Sequence, residues 1–220
     1  MPGADTFVRE LEEKNAVSFQ RLMTAYEETV RKEDFSPADV LRLELRATIE
    51  ATEVAAMWIT ETESLDVKME LATQCGDSAN RFTLLRERLA TLGVDLLSFD
   101  ARFGGYTKLF ALFRSLQTTE ERTSAGALTL RAMNVRRFEL LANHCEAKGD
   151  AESARLLRET LGAAELGHVD SGRRLLLATA TAEESQARAR RAAFRTIEIL
   201  GEVHEPSVLR KYLTRSMIRR

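Results

Sequence analysis

The stretch LTLRAMNVRRFELLANHCEAKGDAESARLLRETLGAAELGHVDSGRRLL, residues 128–176, decides how this chain folds. It reads as two long helices broken once, at Gly149-Asp150. A glycine there serves a helix C-terminus and an aspartate can cap the helix that follows. On the second helix Leu157, Leu161, Glu165, His168, Gly172 and Leu175 recur in steps of three and four, which places them on one face. Two ionisable groups therefore stand where a helical core wants leucine, and each needs a partner or a metal. Glu165-Leu-Gly-His168 has the Glu-x-x-His spacing that lets a carboxylate and an imidazole reach one ion from adjacent turns. On the first helix the series Leu128, Arg131, Val135, Phe138, Ala142, Cys145 brings Arg131 into the apolar face.

Working outward, the same punctuation recurs. Ser36-Pro37-Ala38-Asp39 supplies an N-cap, a first-turn proline and an acid at the third position. Thr118-Thr119-Glu120-Glu121 and Thr181-Ala182-Glu183-Glu184 read as capping boxes, and Gly93 as a C-terminal cap. These marks predict helices near residues 5–34, 37–63, 65–92, 119–148, 150–179, 182–202 and 206–218. Residues 97–117 form an aromatic-rich crossover, with Gly104-Gly105 as a break and a short helix after it. So long a connection lets the helices on either side of it run parallel. The helix at 37–63 carries Leu43, Ala47, Glu50, Val54 and Met57 on one face, with Glu53 beside it. The helix at 65–92 carries Leu71, Cys75, Ser78, Phe82, Leu85 and Leu89, with Arg81 on its flank. Polar groups thus recur near the middle of all four long helices.

The 220 residues suffice for one well-buried core, and we read 1–220 as a single all-α domain. Its core is 37–180, with an N-terminal helix in 1–36 and further helices in 181–220. With 34 acidic and 32 basic residues the net charge is −2, so no global field recruits nucleic acid or an acidic membrane. Cys75 and Cys145 make no zinc or disulfide pattern and suit a reducing compartment. No apolar run reaches membrane-spanning length, and the acidic N-terminus has no signal-peptide core, so the cytoplasm is the expected location. The basic run RARRAAFR, residues 188–195, reads as a solvated face diluted by Glu198, Glu202 and Glu205 rather than as an RNA site. The amphipathic N-terminal helix, with Leu11, Leu22, Tyr26 and Val30, is expected to pack on the core or on a second subunit, which makes a homodimer a candidate assembly.

Residues 40–178 resemble the ferritin-like di-iron carboxylate superfamily. They are similar to a bacterial branch of uncharacterised ferritin-like proteins near the non-haem tRNA hydroxylases. The likeness is strongest in the opening stretch and extends to EATEVAAMWI and CGDSANRFTLLRERLATLG. It implies a four-helix bundle in which the first and third helices each give a glutamate, and the second and fourth each give Glu-x-x-His, to two irons. Carried over by position, the first helix's ligand falls on Glu53, with Glu50 as the second alignment. The fourth helix keeps Glu165 and His168. The second helix's pair falls on Ser78 and Arg81, and the third helix's glutamate on Arg131, so three of the six expected ligands are altered. Removing divalent ions from a carboxylate cluster leaves stranded negative charge, which guanidinium groups can neutralise. Arg81 and Arg131 are therefore expected to pair with Glu53 and Glu165. The resulting expectation is a degenerate di-iron site, with no cofactor or iron at low occupancy, in a binding or interaction module. The alternative is a non-haem oxidase or hydroxylase using Glu53, Glu165 and His168, with Asp77 or Glu50 as an extra ligand.

Overall fold

In the computed structural model, residues 3–96, 99–100 and 105–215 are described, 214 and 215 as backbone only, and no strand occurs among them. α1 (Ala4–Glu33) ends at Asp34, whose left-handed φ of 54° turns the chain into α2 (Pro37–Glu61). The predicted box forms there. Ser36 accepts from the Asp39 N–H at 3.2 Å while Asp39 accepts from the Ser36 N–H at 3.1 Å, with Pro37 in the first turn. α3 (Leu65–Thr91) stops at Gly93, whose N–H donates to Ala90 as Val94 N–H reaches back to Leu89, each at 3.0 Å.

After the crossover, α4 (Lys108–Ser115) is the expected short helix. Gly104 lies outside the described residues, as do 216–218 of the last predicted helix. α5 (Thr119–Arg122), capped by Thr118 and Glu121, runs without a break through a π-helical segment, Thr123–Leu130, into α6 (Arg131–Ala147). α7 (Ala151–Arg155) runs through a second such segment, Leu156–Gly162, into α8 (Ala163–Thr179). α9 (Glu183–Val203) and α10 (Pro206–Arg215) complete the chain. The capping box expected at Thr181 is a correction: the cap is Ala182, which has no acceptor side chain. Only the returning half forms, with Ser185 Oγ accepting from the Ala182 N–H at 3.0 Å.

Ion pairs fix the helix directions. Glu44 and Glu61 of α2 meet Arg137 of α6 and Arg122 of α5, so α2 opposes the α5–α6 stretch. Arg88, near the end of α3, meets Asp150 at the start of α7, whereas Glu70, near its beginning, meets His168 of α8. α3 therefore opposes α7–α8. Arg158 pairs with Glu146, and Arg131 with Glu165, so α7–α8 in turn opposes α6. α3 and α6 run the same way, as the crossover length predicts.

Apolar packing surrounds this frame. Leu41, Leu45, Leu85, Leu89, Phe138, Leu141 and Leu157 form one large cluster, and Trp58, Val67, Leu71, Phe110 and Phe113 another. α1 packs on α6, α8 and α9 of its own chain, which answers the question left by its amphipathic pattern. In the basic run on α9, Arg188 pairs with Glu120 and Glu184, Arg195 pairs with Glu198, and Arg190 lies over the Phe7 ring. Among the described residues, no helix is long and apolar enough to cross a membrane.

His204, just after α9, stacks on Tyr26 with ring centroids 4.4 Å apart. Its Nδ1 is buried without a partner although part of the residue reaches the exterior. Burial, helped by the charge of Arg137, lowers its pKa from 6.5 to about 3. The unfolded chain takes up a proton near 6.5 and the folded chain does not. Stability is therefore retained above that pH and lost as pH falls towards the folded value, by about 1.4 kcal/mol per pH unit for one proton. Denaturant melts at pH 5 and 6.5 should show this slope, and His204→Phe, which keeps the ring stack, should flatten it. An unchanged slope in that variant would assign the acid sensitivity elsewhere.

Candidate charge-neutralised centre

Three helices, α3, α6 and α8, bring one connected set of polar side chains into the middle of the fold. Glu165 is fully buried. Arg131 Nη1 donates to its two oxygens at 3.1 and 3.3 Å, and Arg81 Nη2 donates to Oε1. Burial alone pushes this carboxyl's pKa up, but the two guanidinium charges more than offset that and hold it below the usual range. Arg131 Nη2 continues to Gln74 Oε1 at 3.1 Å, and Gln74 Nε2 donates to Glu70 Oε1, also at 3.1 Å. Glu70 Oε1 then faces His168 Nδ1 at 3.1 Å, while His168 Nε2 faces Asp77 Oδ2 at the same distance. Burial also pushes Glu70 up, and donors from His168, Gln74 and Ser171 reverse it, so its pKa lies below the ordinary value.

Beside this chain lie two more buried ion pairs. Arg137 binds Glu44 through both guanidinium nitrogens, with Nη2 to Oε2 at 2.9 Å, and Nη2 also reaches Asn134 Oδ1 at 3.3 Å. Glu50 accepts from the Thr107 N–H at 3.1 Å and from its hydroxyl, and Arg46 lies 3.4 Å away. Burial pushes the Glu50 pKa up despite these donors.

The predicted site residues separate into two groups. Arg81, Arg131, Glu165 and His168 come together, and Ser78 is buried on the same helix as Arg81. Glu53 does not join them. It is half-buried, pairs with neither arginine, and leaves Oε2 buried with no partner among the described residues. Both arginines instead share Glu165. Glu50 is committed to the N-terminus of α4. Asp77, the extra ligand of the alternative reading, lies about 100° around the helix from Ser78 and is half-exposed, yet it reaches His168. Cys75 is half-buried with Sγ 3.8 Å from the Thr52 carbonyl oxygen, and burial raises its pKa. Cys145 is buried and pushed up to about 12 for the same reason, so neither thiol is activated.

Glu44, Arg46, Glu70, Gln74 and Arg137 were not anticipated. Glu70, Gln74, Asp77 and Arg81 recur in steps of four, three and four, a polar stripe that the sequence displays once apolar spacing is set aside. Glu44 and Arg137 carry no such local signal, because each is buried only by virtue of a partner 93 positions away.

The donor set does not fit the two irons that the resemblance implies. Both oxygens of Glu165 are held by guanidinium groups, and both nitrogens of His168 face carboxylates at 3.1 Å rather than a shared metal position. Arg81 and Arg131 stand within hydrogen-bonding distance of the fully buried Glu165 carboxylate, where they would repel a cation. Among the described residues, no group of three His, Cys, Asp or Glu side chains is disposed to hold a metal ion, so the ligand set Glu53, Glu165 and His168 is not assembled. No protein-family model matches this chain, and no curated protein or solved structure does so.

Proposed function

We propose that this chain is a ferritin-like four-helix bundle with a degenerate di-iron site, in which arginine charge stands where iron would be. On this reading it acts as a metal-independent binding module rather than as an oxygenase. The observation that carries the reading is the bracketing of fully buried Glu165 by Arg81 and Arg131. Three facts support it further. α3 and α6 run in the same direction across a long crossover, as such bundles require. His168 is turned onto Glu70 and Asp77 at 3.1 Å each. Both π-helical segments lie just ahead of a central residue, Thr123–Leu130 before Arg131 and Leu156–Gly162 before Glu165. Such segments shift helix register and recur at functional sites.

Elemental analysis of protein made in iron-supplemented medium and purified without chelators tests this reading. The expected result is iron far below one atom per chain and no oxo-bridged absorption band. Two irons per chain, with that band present, would overturn it.

A further inference from the structure

α3 and α8 lie side by side, and their outer faces are unpartnered. Leu65, Met69 and Leu166 are 77%, 64% and 54% exposed there. On α3 the exposed positions Leu65, Met69, Ala72, Gly76, Ala79 and Thr83 recur in steps of four and three, so about five turns of outer surface carry no charge. Two glycines sharpen this. A glycine inside a helix is unfavourable relative to alanine, and close approach of another group is the usual reason for one. Gly126, Gly162, Gly172 and Gly201 have that reason, since an added Cβ would lie within 4 Å of another group of this chain. Around Gly76 and Gly167, nothing among the described residues lies within 4 Å. Both are exposed, and they stand level with each other, because Asp77 and His168, which follow them, are in contact at 3.1 Å.

Charge identifies what approaches. Where α3 begins it carries Asp66 and Lys68, level with Asp170 and Arg174 of α8; where it ends it carries Arg86 and Glu87, level with Arg155 and Glu159 of the α7–α8 stretch. Among the described residues, none of the four charges on α3 makes an ion pair, nor does Arg155 or Glu159. A second copy turned about a two-fold axis parallel to these helices lays its α8 on this α3 at the same level. Lys68 then meets Asp170, Asp66 meets Arg174, Arg86 meets Glu159 and Glu87 meets Arg155, each contact formed twice. Laying α3 on α3 about Gly76 would instead set Lys68 against Arg86 and Asp66 against Glu87. A face bordered by equal numbers of acids and bases offers an anionic membrane no attraction.

We propose that this face is where two copies of the chain associate, α3 of each packing on α8 of the other, with the backbones closest at Gly76 and Gly167. The proposal does not depend on what occupies the centre of the bundle. Sedimentation of the full chain over a concentration series tests it and should show a monomer–dimer equilibrium. Gly76→Gln fills space that the free chain leaves open. It should weaken association at least about tenfold, while its diluted monomer melts no lower than that of wild type. Arg86→Glu should weaken association by at least about tenfold too, and adding Glu159→Arg should restore it, because opposite charges then face each other again. A chain that stays monomeric, or a dimer indifferent to Gly76→Gln, overturns the proposal. So does a monomer that floats with phosphatidylcholine–phosphatidylglycerol vesicles, which would assign the face to a membrane. Failure of Glu159→Arg to rescue Arg86→Glu overturns the pairing of α3 with α8.

Discussion

Arg131→Glu is expected to destabilise the protein by about 3–5 kcal/mol, the usual consequence of breaking a buried ion pair by removing one partner. Wild-type Glu165 takes hydrogen bonds from Arg131 at 3.1 and 3.3 Å and from Arg81. The variant would set a second carboxylate beside it, with only Arg81 to counter both. Gln74 would lose its donor, and Glu70 would feel a new negative neighbour through it. Denaturant melts of wild type and variant, with and without ferrous or zinc ions, measure the effect. Recovery of stability on adding metal would mean that a cation can take the role the Arg131 guanidinium fills. A variant as stable as wild type without metal would refute the proposal that arginine charge stands where iron would be.

The second large effect comes from backbone proximity. Gly172 of α8 lies so close to the π-helical segment before α6 that an added Cβ would stand 2.4 Å from the Ala127 carbonyl oxygen and 2.6 Å from its carbon. Neither atom can move without shifting a helix. Gly172→Ala gains about 1 kcal/mol in helix propensity, yet the overlap should dominate and leave a net loss of about 3 kcal/mol. For a chain of this length that corresponds to a melting temperature lower by roughly 6–12 °C. Gly126→Ala makes a useful contrast. Its Cβ meets the edge of the Trp58 ring at 2.8 Å, a side chain that can yield, so a smaller loss is expected there. If calorimetry found Gly172→Ala as stable as wild type, α8 could not be seated on that segment.

The helices were legible because their ends are written in single residues. Ser36-Pro37, Thr118, Gly93 and Gly149-Asp150 each act within one turn, and each is found at or within a residue of the expected boundary. The π-helical segments were not legible. They insert their extra residue to suit neighbours such as Gly172 and Trp58, which no local window contains. The stripe Leu157, Leu161, Glu165, His168 and Gly172 is buried as expected, and one turn further on Leu176 rather than the expected Leu175 is the fully buried leucine. Within the site, Arg81, Arg131, Glu165 and His168 announced themselves by interrupting or flanking apolar stripes. Glu53 did so equally well, and its absence from the cluster reflects the rotation of α2, which turns Glu44 inward towards Arg137 instead. Buried charges whose only justification is a distant partner leave no periodic trace.

The sharing of Glu165 by two arginines also constrains how this protein can change by descent. Any single replacement at position 81, 131 or 165 alters the electrical balance of a buried spot, and selection against misfolding acts before a second change arrives. Lineages carrying this chain should therefore pass on the three positions as one inherited unit.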